Sequence, residues 1–364
     1  MWHSDSVIEG RPIRAAVVGC GRISRNHFKV LDRVADRMEL VAVCDVSPAR
    51  FDAVPWDECP SLDRKTPRFG RIEEMLEEVR SDRLALDLAI LASPSGLHAS
   101  QTVACSSAGL HVMTEKPMAT RWQDALDAVK ACDRAGVRFF VVKQNRFNAT
   151  LQLLKRAVDE RRFGRIHMVN VNVFWQRPQS YYDTDRWRGT WELDGGAFMN
   201  QASHYVDLLD WLIGPIASVQ AMTGTLGRSI EVEDSGVLNV RWRSGAMGSM
   251  NVSMLTWPRN LEGSITVLGE TGSVRIGGVA VNEIQIWDFA EERDYDASIR
   301  DANYEVPNVY GLGHLPYYEN VIDVLRGKAE PLTDGREGLK SLEVIIAAYL
   351  SARDGRTVSL PLHY

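Results

Sequence analysis

Through the first third of the chain, short apolar runs alternate with stretches whose apolar positions recur every three to four residues. The runs are Ile13–Val18, Leu40–Cys44, Leu86–Ala92, His111–Thr114 and Val137–Val142. A strand that is apolar at nearly every position is covered on both faces, as in a parallel sheet. Between the runs, Met75–Arg80 and Trp122–Ala135 carry helical spacing, and Ala135-Gly136 supplies a stop for the second. The alternation is βαβ grammar and predicts a doubly wound parallel sheet.

After Phe147 the period changes. A helix over Leu151–Asp159 precedes alternating strands at Ile166–Trp175, Val219–Leu226, Val237–Trp242, Met247–Thr256, Ile265–Leu268 and Val274–Ile276. Arg243-Ser244-Gly245 and Glu270-Thr271-Gly272 sit where hairpins turn. Helices are predicted again at Met199–Leu212, Tyr317–Arg326 and Gly338–Ala352. The second part is therefore expected to be α+β, one large, mostly antiparallel sheet with helices on one face.

Composition narrows the class. With 364 residues, 25% charged and 45% hydrophobic, the chain suits two globular domains. A formal net charge of −6 provides no basic field to gather phosphates, so no nucleic-acid partner is expected. The five cysteines, Cys20, Cys44, Cys59, Cys105 and Cys132, form no C-x-x-C pair. They are expected as reduced thiols, with no metal site. Met1–Arg14 carries Asp5, Glu9 and Arg11 without an apolar segment, and nowhere do eighteen uncharged apolar residues run together, so a cytoplasmic protein with no membrane contact is expected.

The first strand ends in Gly19-Cys20-Gly21-Arg22-Ile23-Ser24. Glycines let the backbone turn sharply beside a pyrophosphate, and the free N–H groups of the following helix favour the anion. Ser24 stands where a third Gly or Ala is usual. The second strand ends at Asp45, placed to accept hydrogen bonds from an adenosine ribose, which favours NAD; Arg50 leaves NADP open. These features make the N-terminal part, residues 13–145, a Rossmann dinucleotide-binding domain and leave 146–364 as an α+β domain for substrate and oligomerisation. The overall class is α/β. Ser93-Pro94-Ser95 and Glu115-Lys116-Pro117 arrive at the same carboxyl edge of the sheet, where ligands gather. A lysine beside a nicotinamide can donate to a substrate oxygen, while the glutamate accepts from a ribose hydroxyl. His98 suits capping or packing as well as cofactor contact.

These residues, with Arg146-Phe147, Asp194-Gly195-Gly196 through His204 and Asp207, and the ending Gly338-Leu339 to Ala352-Arg353, make the chain resemble the glucose–fructose oxidoreductase, inositol dehydrogenase and MocA family over nearly its whole length. The resemblance implies that Lys116 and His204 are catalytic and flank the carbinol carbon. It implies cofactor contacts at Gly19, Gly21, Arg22, Ile23, Asp45, Ser93, Pro94, Ser95, His98, Glu115, Lys116 and Asn145. Substrate contacts are expected at Lys116, Arg177, Tyr182, Asn200, Gln201 and His204. Where the family usually has an acid four residues before the histidine, this chain has Asn200. Helical spacing predicts Asn200, His204 and Asp207 on one helix face.

The stretch from Gln176 to Asp183, Trp187-Arg188-Gly189-Thr190-Trp191 and Asp194–Gln201 is similar to a narrower subgroup, the UDP-N-acetylglucosaminuronate 3-dehydrogenases of bacterial surface-polysaccharide synthesis. Arg177 and Arg188 among aromatics and amides suit a ligand combining carboxylate or phosphate with flat apolar faces. The same residue types also favour subunit contacts. The expectation is NAD-dependent oxidation of the 3-hydroxyl of a UDP-linked sugar acid in lipopolysaccharide-type synthesis, by a homotetramer implied by the family. NADH is either released or recycled in place by a 2-oxo acid. The alternatives are a dehydrogenase of a free sugar or inositol, and a non-catalytic NAD-binding sensor, against which the retention of both Lys116 and His204 argues.

Overall fold

The structure, a computed structural model, describes residues 7–305 and 311–362; Met1–Ser6, part of the N-terminal stretch considered above, lie outside the described residues. Contacts divide the chain into two units, Met1–Val142 with His314–Leu339 and Lys143–Gly313 with Lys340–Tyr364.

The first unit is built on strands β1 (Ile13–Val18), β2 (Met38–Cys44), β3 (Arg68–Phe69), β4 (Leu88–Leu91), β5 (His111–Thr114) and β6 (Phe139–Val141). They pair in the order β3-β2-β1-β4-β5-β6, every neighbour parallel. Every residue of β4 and β5 is buried, the two-sided cover expected of inner strands in a parallel sheet. The two-residue β3 is too short to leave a pattern in the sequence.

One helix sits elsewhere than the sequence order suggests. From its spacing Tyr317–Arg326 is helical, and its position in the chain points to the C-terminal domain. The helix found, His314–Leu325, is counted in the first unit. Its Tyr318 hydroxyl lies 2.6 Å from His27 Nδ1 on the helix Ser24–Arg33, and Glu319 pairs with Arg37. Arg326, just past its end, donates to the Arg11 carbonyl. Periodicity shows that a segment is helical, but only its partners say where it packs.

The second unit carries β7 (Ile166–Phe174), β8 (Ile216–Gly224), β9 (Ser235–Trp242), β10 (Met247–Ser253), β11 (Glu262–Gly269), β12 (Gly272–Gly277), β13 (Glu283–Phe289) and β14 (Val358–Ser359). The order is β13-β12-β11-β7-β10-β9-β8-β14, with β7 and β10 parallel and the other pairs antiparallel. On β7, Val169, Val171 and Val173 face the core while Asn170 and Asn172 face away, the one-sided burial that alternation predicts. Strands β13 and β14 lie at the two edges, where burial is incomplete and alternation faint. On the covered face, the Trp242 indole donates to the Leu209 carbonyl at 3.1 Å and fixes the helix Ser203–Ile213 on the sheet.

That helix is shorter than its pattern predicts. Residues 197–201 form a π-helical turn, closed where the Ala202 N–H donates to the Ala197 carbonyl at 2.8 Å, and the α-helix starts at Ser203. Asn200 and His204 therefore do not share one continuous helix face. All five cysteines are buried and unbridged, and burial pushes the thiols of Cys20, Cys44, Cys105 and Cys132 up to about 12. Among the described residues no helix is long and apolar enough to cross a membrane.

Candidate active site

In the first unit the site begins where β1 ends. Gly19 has φ +94, and a Cβ there would lie 2.6 Å from the main chain of Ala92 and Ser93. Only glycine lets the turn press this closely on the end of β4. Gly21 is the opposite case, since a Cβ there would meet nothing within 4 Å. Its open side is where a diphosphate can approach. Ser24, buried, donates its hydroxyl to the Gly21 carbonyl at 2.6 Å, so the residue standing in for a third glycine closes the turn itself.

Asp45 at the end of β2 accepts from the Cys20 N–H and the Ser47 N–H, each at 2.8 Å. Two backbone donors fix the carboxylate, and each oxygen keeps a lone pair for ribose hydroxyls. The open glycine, the free start of the helix Ser24–Arg33 after Arg22 and Ile23, and this anchored carboxylate fit an adenine dinucleotide.

Further along the same sheet edge, Ser93 and Pro94 are half-buried and Ser95 is buried. His98 is buried, with its ring nitrogens 2.7 Å from the Pro117 carbonyl oxygen and 2.9 Å from that of Ser93. Burial lowers its pKa against the pull of the two carbonyls, and the ring packs between the two loops. Of the two roles weighed for His98, this geometry serves packing.

Glu115 is only 4% exposed. Its Oε1 lies 3.1 Å from His27 Nε2 and 3.9 Å from His314 Nε2, and Oε2 accepts from the Lys116 N–H at 3.2 Å. Burial alone would raise this carboxyl; the hydrogen bond from His27 and the nearness of both His27 and His314 outweigh burial and hold it well below the usual carboxylate range. The sequence suggests a ribose hydroxyl for Glu115; the structure adds that its Oε1 meets His27, with His314 nearby, at the strand end that carries Lys116. The half-buried Lys116 is thus presented from an anchored backbone.

In the second unit, a short turn over Gln144–Phe147 faces the helix Ser203–Ile213. Arg146 grips Asp207 through Nε and Nη2, both at 2.7 Å, and Lys143 Nζ lies 3.5 Å from the same carboxylate while also donating to the Ser341 hydroxyl. Burial works to raise Asp207, but Lys143 and then Arg146 overcome it and hold the carboxyl at about 2. One helical turn earlier His204 is buried, its Nε2 3.0 Å from the Gln144 amide nitrogen. Asn145 is buried, and its amide oxygen has no hydrogen-bond partner among the described residues.

Asn200 donates to the buried Asp194, whose other oxygen accepts from the Gly189 N–H at 2.7 Å. Beneath this turn lies Glu233, 3% exposed, whose Oε1 accepts from the Phe198 N–H at 3.0 Å and the Tyr349 hydroxyl at 2.9 Å. Its Oε2 occupies the space of a Gly196 side chain, with 1.6 Å to a hypothetical Cβ, which makes a side chain at 196 incompatible with this packing. Burial pushes Glu233 up to about 7.

Arg177 and Gln201 meet directly, Nε donating to Oε1 at 2.9 Å. Tyr181 lies between Arg177 and Arg188, whose guanidinium carbons are 5.5 and 4.6 Å from its ring centre, and its hydroxyl accepts from Arg188 at 2.8 Å and Gln201 at 3.1 Å. Tyr182, expected to contact substrate, is buried beside it. The phase of the short helix Gln179–Asp183 decides between these neighbours, and five residues carry no periodic signal. Gln144 and Glu233 also build the site, with no mark in the sequence. An isolated amide or acid in a sequence gives no sign of what it will touch.

Comparison with known proteins accords with this arrangement. Residues 13–143 match the oxidoreductase family's NAD-binding Rossmann fold, and 155–360 match the same family's C-terminal alpha/beta domain. A D-apiose dehydrogenase of Paraburkholderia graminis is 27% identical, over 95% of this chain and 89% of that protein. The WlbA dehydrogenase of Chromobacterium violaceum, solved with NADH and UDP-GlcNAcA, is 62% identical, covers 98% of this chain and 99% of its own, and superposes with a TM-score of 0.91. WlbA of Bordetella pertussis, solved with the same two ligands, is 58% identical over 98% and 100%, with a TM-score of 0.92. With both domain models matched in order and relatives this similar over almost the full length, the chain belongs to the glucose–fructose oxidoreductase, inositol dehydrogenase and MocA family of oxidoreductases, with an NAD-binding Rossmann domain.

Proposed function

We propose that this protein catalyses the NAD-dependent oxidation of the 3-hydroxyl of UDP-N-acetylglucosaminuronate, giving the UDP-linked 3-keto sugar acid used in surface-polysaccharide synthesis. The observation that carries this reading is full-length similarity, at 62% and 58% identity, to two dehydrogenases that hold NADH and UDP-GlcNAcA. The Arg177–Tyr181–Arg188 cluster with Gln201 supports it, because stacked guanidinium groups flanked by amides suit carboxylate or phosphate oxygens on a polar ligand.

In this reading Lys116 and His204 handle the proton of the 3-hydroxyl. Bound NAD supplies the hydride acceptor. Lys116, with its backbone tied to the buried Glu115, presents an ammonium that relieves alkoxide charge, and His204, fixed between Gln144 and the Asp207 cluster, presents an imidazole for the proton. Asp45 and the Gly19–Gly21 turn hold the adenosine end, with Ser93, Pro94 and Asn145 as further cofactor contacts. Lys116→Ala and His204→Ala are each expected to lower turnover by orders of magnitude while NAD affinity stays within a few-fold. Near-normal turnover in both variants refutes the assignment.

NADH formation measured against a panel of UDP-sugars, free sugars and inositols, with and without 2-oxoglutarate, tests substrate class and cofactor recycling together. Activity confined to free sugars would favour the reading closer to the D-apiose relative. A homotetramer in the cytoplasm is part of the proposal. The face of the large sheet that carries Met168, Met222, Met247, Leu268 and Ile286 leaves apolar side chains exposed and supports association, which light scattering measures.

A further inference from the structure

One short turn delivers three side chains onto a single face of the helix Ser203–Ile213. Lys143 and Arg146 close on Asp207, and Gln144, between them in sequence, meets His204 one helical turn earlier. Gln144 is 1% exposed, and its carboxamide oxygen is buried with no hydrogen-bond partner among the described residues. An idle buried amide oxygen is costly, so its place calls for a state in which it is used.

The charges around His204 indicate what that state is. Asp207 brings one negative charge and Lys143 and Arg146 bring one positive charge each, all buried. Further charged groups near the helix include Lys155, whose ammonium lies 5.9 Å over the Trp211 ring, with Arg156 and Asp159 on the same element, and Asp194 and Glu233 beside the 197–201 turn; Asp210 lies on the helix itself. Lys143 and Arg146 outnumber Asp207 on this face, which disfavours a further positive charge on the imidazole. Donation from the Gln144 amide to Nε2 requires that nitrogen to keep its lone pair and puts the ring proton on Nδ1. This is the form that can accept a proton at Nε2. Once it has done so, rotation about the terminal bond of Gln144 turns the idle oxygen toward the new N–H.

Resting on the reading of His204 as a proton-handling residue, we infer that Gln144 is its positioning residue: the amide holds the imidazole with Nε2 bare and then reverses to hold it protonated. A carboxylate in this place could only accept, and would fix the protonated ring. The amide nitrogen of Asn200 donates to Asp194, and the amide that meets His204 is that of Gln144.

The test compares wild type, Gln144→Glu, Gln144→Met and His204→Ala, assayed with UDP-N-acetylglucosaminuronate and NAD. Alongside, deuterium exchange at His204 Cε1, followed by mass spectrometry without substrate, gives the imidazole titration independently of turnover. Gln144→Glu is expected to raise the His204 midpoint by about one pH unit or more, and to carry the acidic limb of kcat/KM upward with it, turnover recovering at high pH. Gln144→Met is expected to lower kcat roughly tenfold while KM and NAD affinity hold. An unmoved midpoint and limb in Gln144→Glu overturn the inference, as does wild-type kcat in Gln144→Met, which carries the decision if the glutamate variant does not fold. Turnover surviving in His204→Ala overturns the role of His204 and the inference with it. An inactive His204→Ala beside an unmoved Gln144→Glu confines the failure to Gln144.

Discussion

Asp207 and Glu233 are both carboxylates buried in the second unit, and they end at opposite extremes, one held at about 2 and the other pushed up to about 7. Burial raises both. Around Asp207 a bidentate arginine and a lysine more than repay it, whereas around Glu233 a tyrosine hydroxyl and the Phe198 N–H repay only part, and Asp194 adds like charge. Depth alone therefore says little about a buried acid; the charge of its neighbours decides. Asp207 anchors the face that presents His204, and Glu233 supports the turn that presents Asn200 and Gln201.

The contrast breaks most severely at Asp207. Asp207→Ala leaves two buried cations without their counter-ion and is expected to cost about 3–5 kcal/mol in urea unfolding at neutral pH. At Glu233 the sign reverses. An acid whose folded pKa lies above its ordinary 4.5 binds its proton more tightly when native, so stability is full below 4.5 and falls as pH climbs through 7. Glu233→Gln removes this penalty, and its effect on stability should become more favourable by about 3 kcal/mol between pH 4 and pH 8. A pH-independent effect would show that the carboxylate is not strained by burial.

Smaller effects sharpen the comparison. Asp207 sits below its ordinary 3.8, so its contribution is present above 3.8 and lost as pH falls through 2. The wild-type protein should lose about 2 kcal/mol over that window through this group alone, and Asp207→Asn should flatten that part of the acid-unfolding curve. The smallest effect is expected at the more open arginine cluster, where water screens charge. Tyr181→Phe, which removes only the hydroxyl accepting from Arg188 and Gln201, should weaken UDP-sugar binding by about 1 kcal/mol in calorimetry, with NAD binding unchanged.

Much of the fold is legible in the chain because its signals are local. The apolar run into Gly19 announces a buried strand and a tight turn, Asp45 ends the next strand, and the alternation at Val169, Val171 and Val173 announces a half-buried sheet. The break between Gln201 and Ser203 is not legible, because the 197–201 turn is held by Glu233 and Tyr349, far away in sequence. Nor does anything near Tyr181 and Tyr182 say which of the two faces the arginines.

The sequence by itself determined the two kinds of sheet, the glycine turn with its acidic partner and the identity of the lysine and histidine that carry the proposed chemistry. Periodicity and turn stereochemistry act over a few residues, and motif spacing survives in one dimension. Only the tertiary structure decided that Glu115 meets His27, that Asn200 serves Asp194, and that Gln144 meets His204. Those assignments depend on which polar groups must satisfy one another once water is excluded, and that competition is settled among residues distant in the chain.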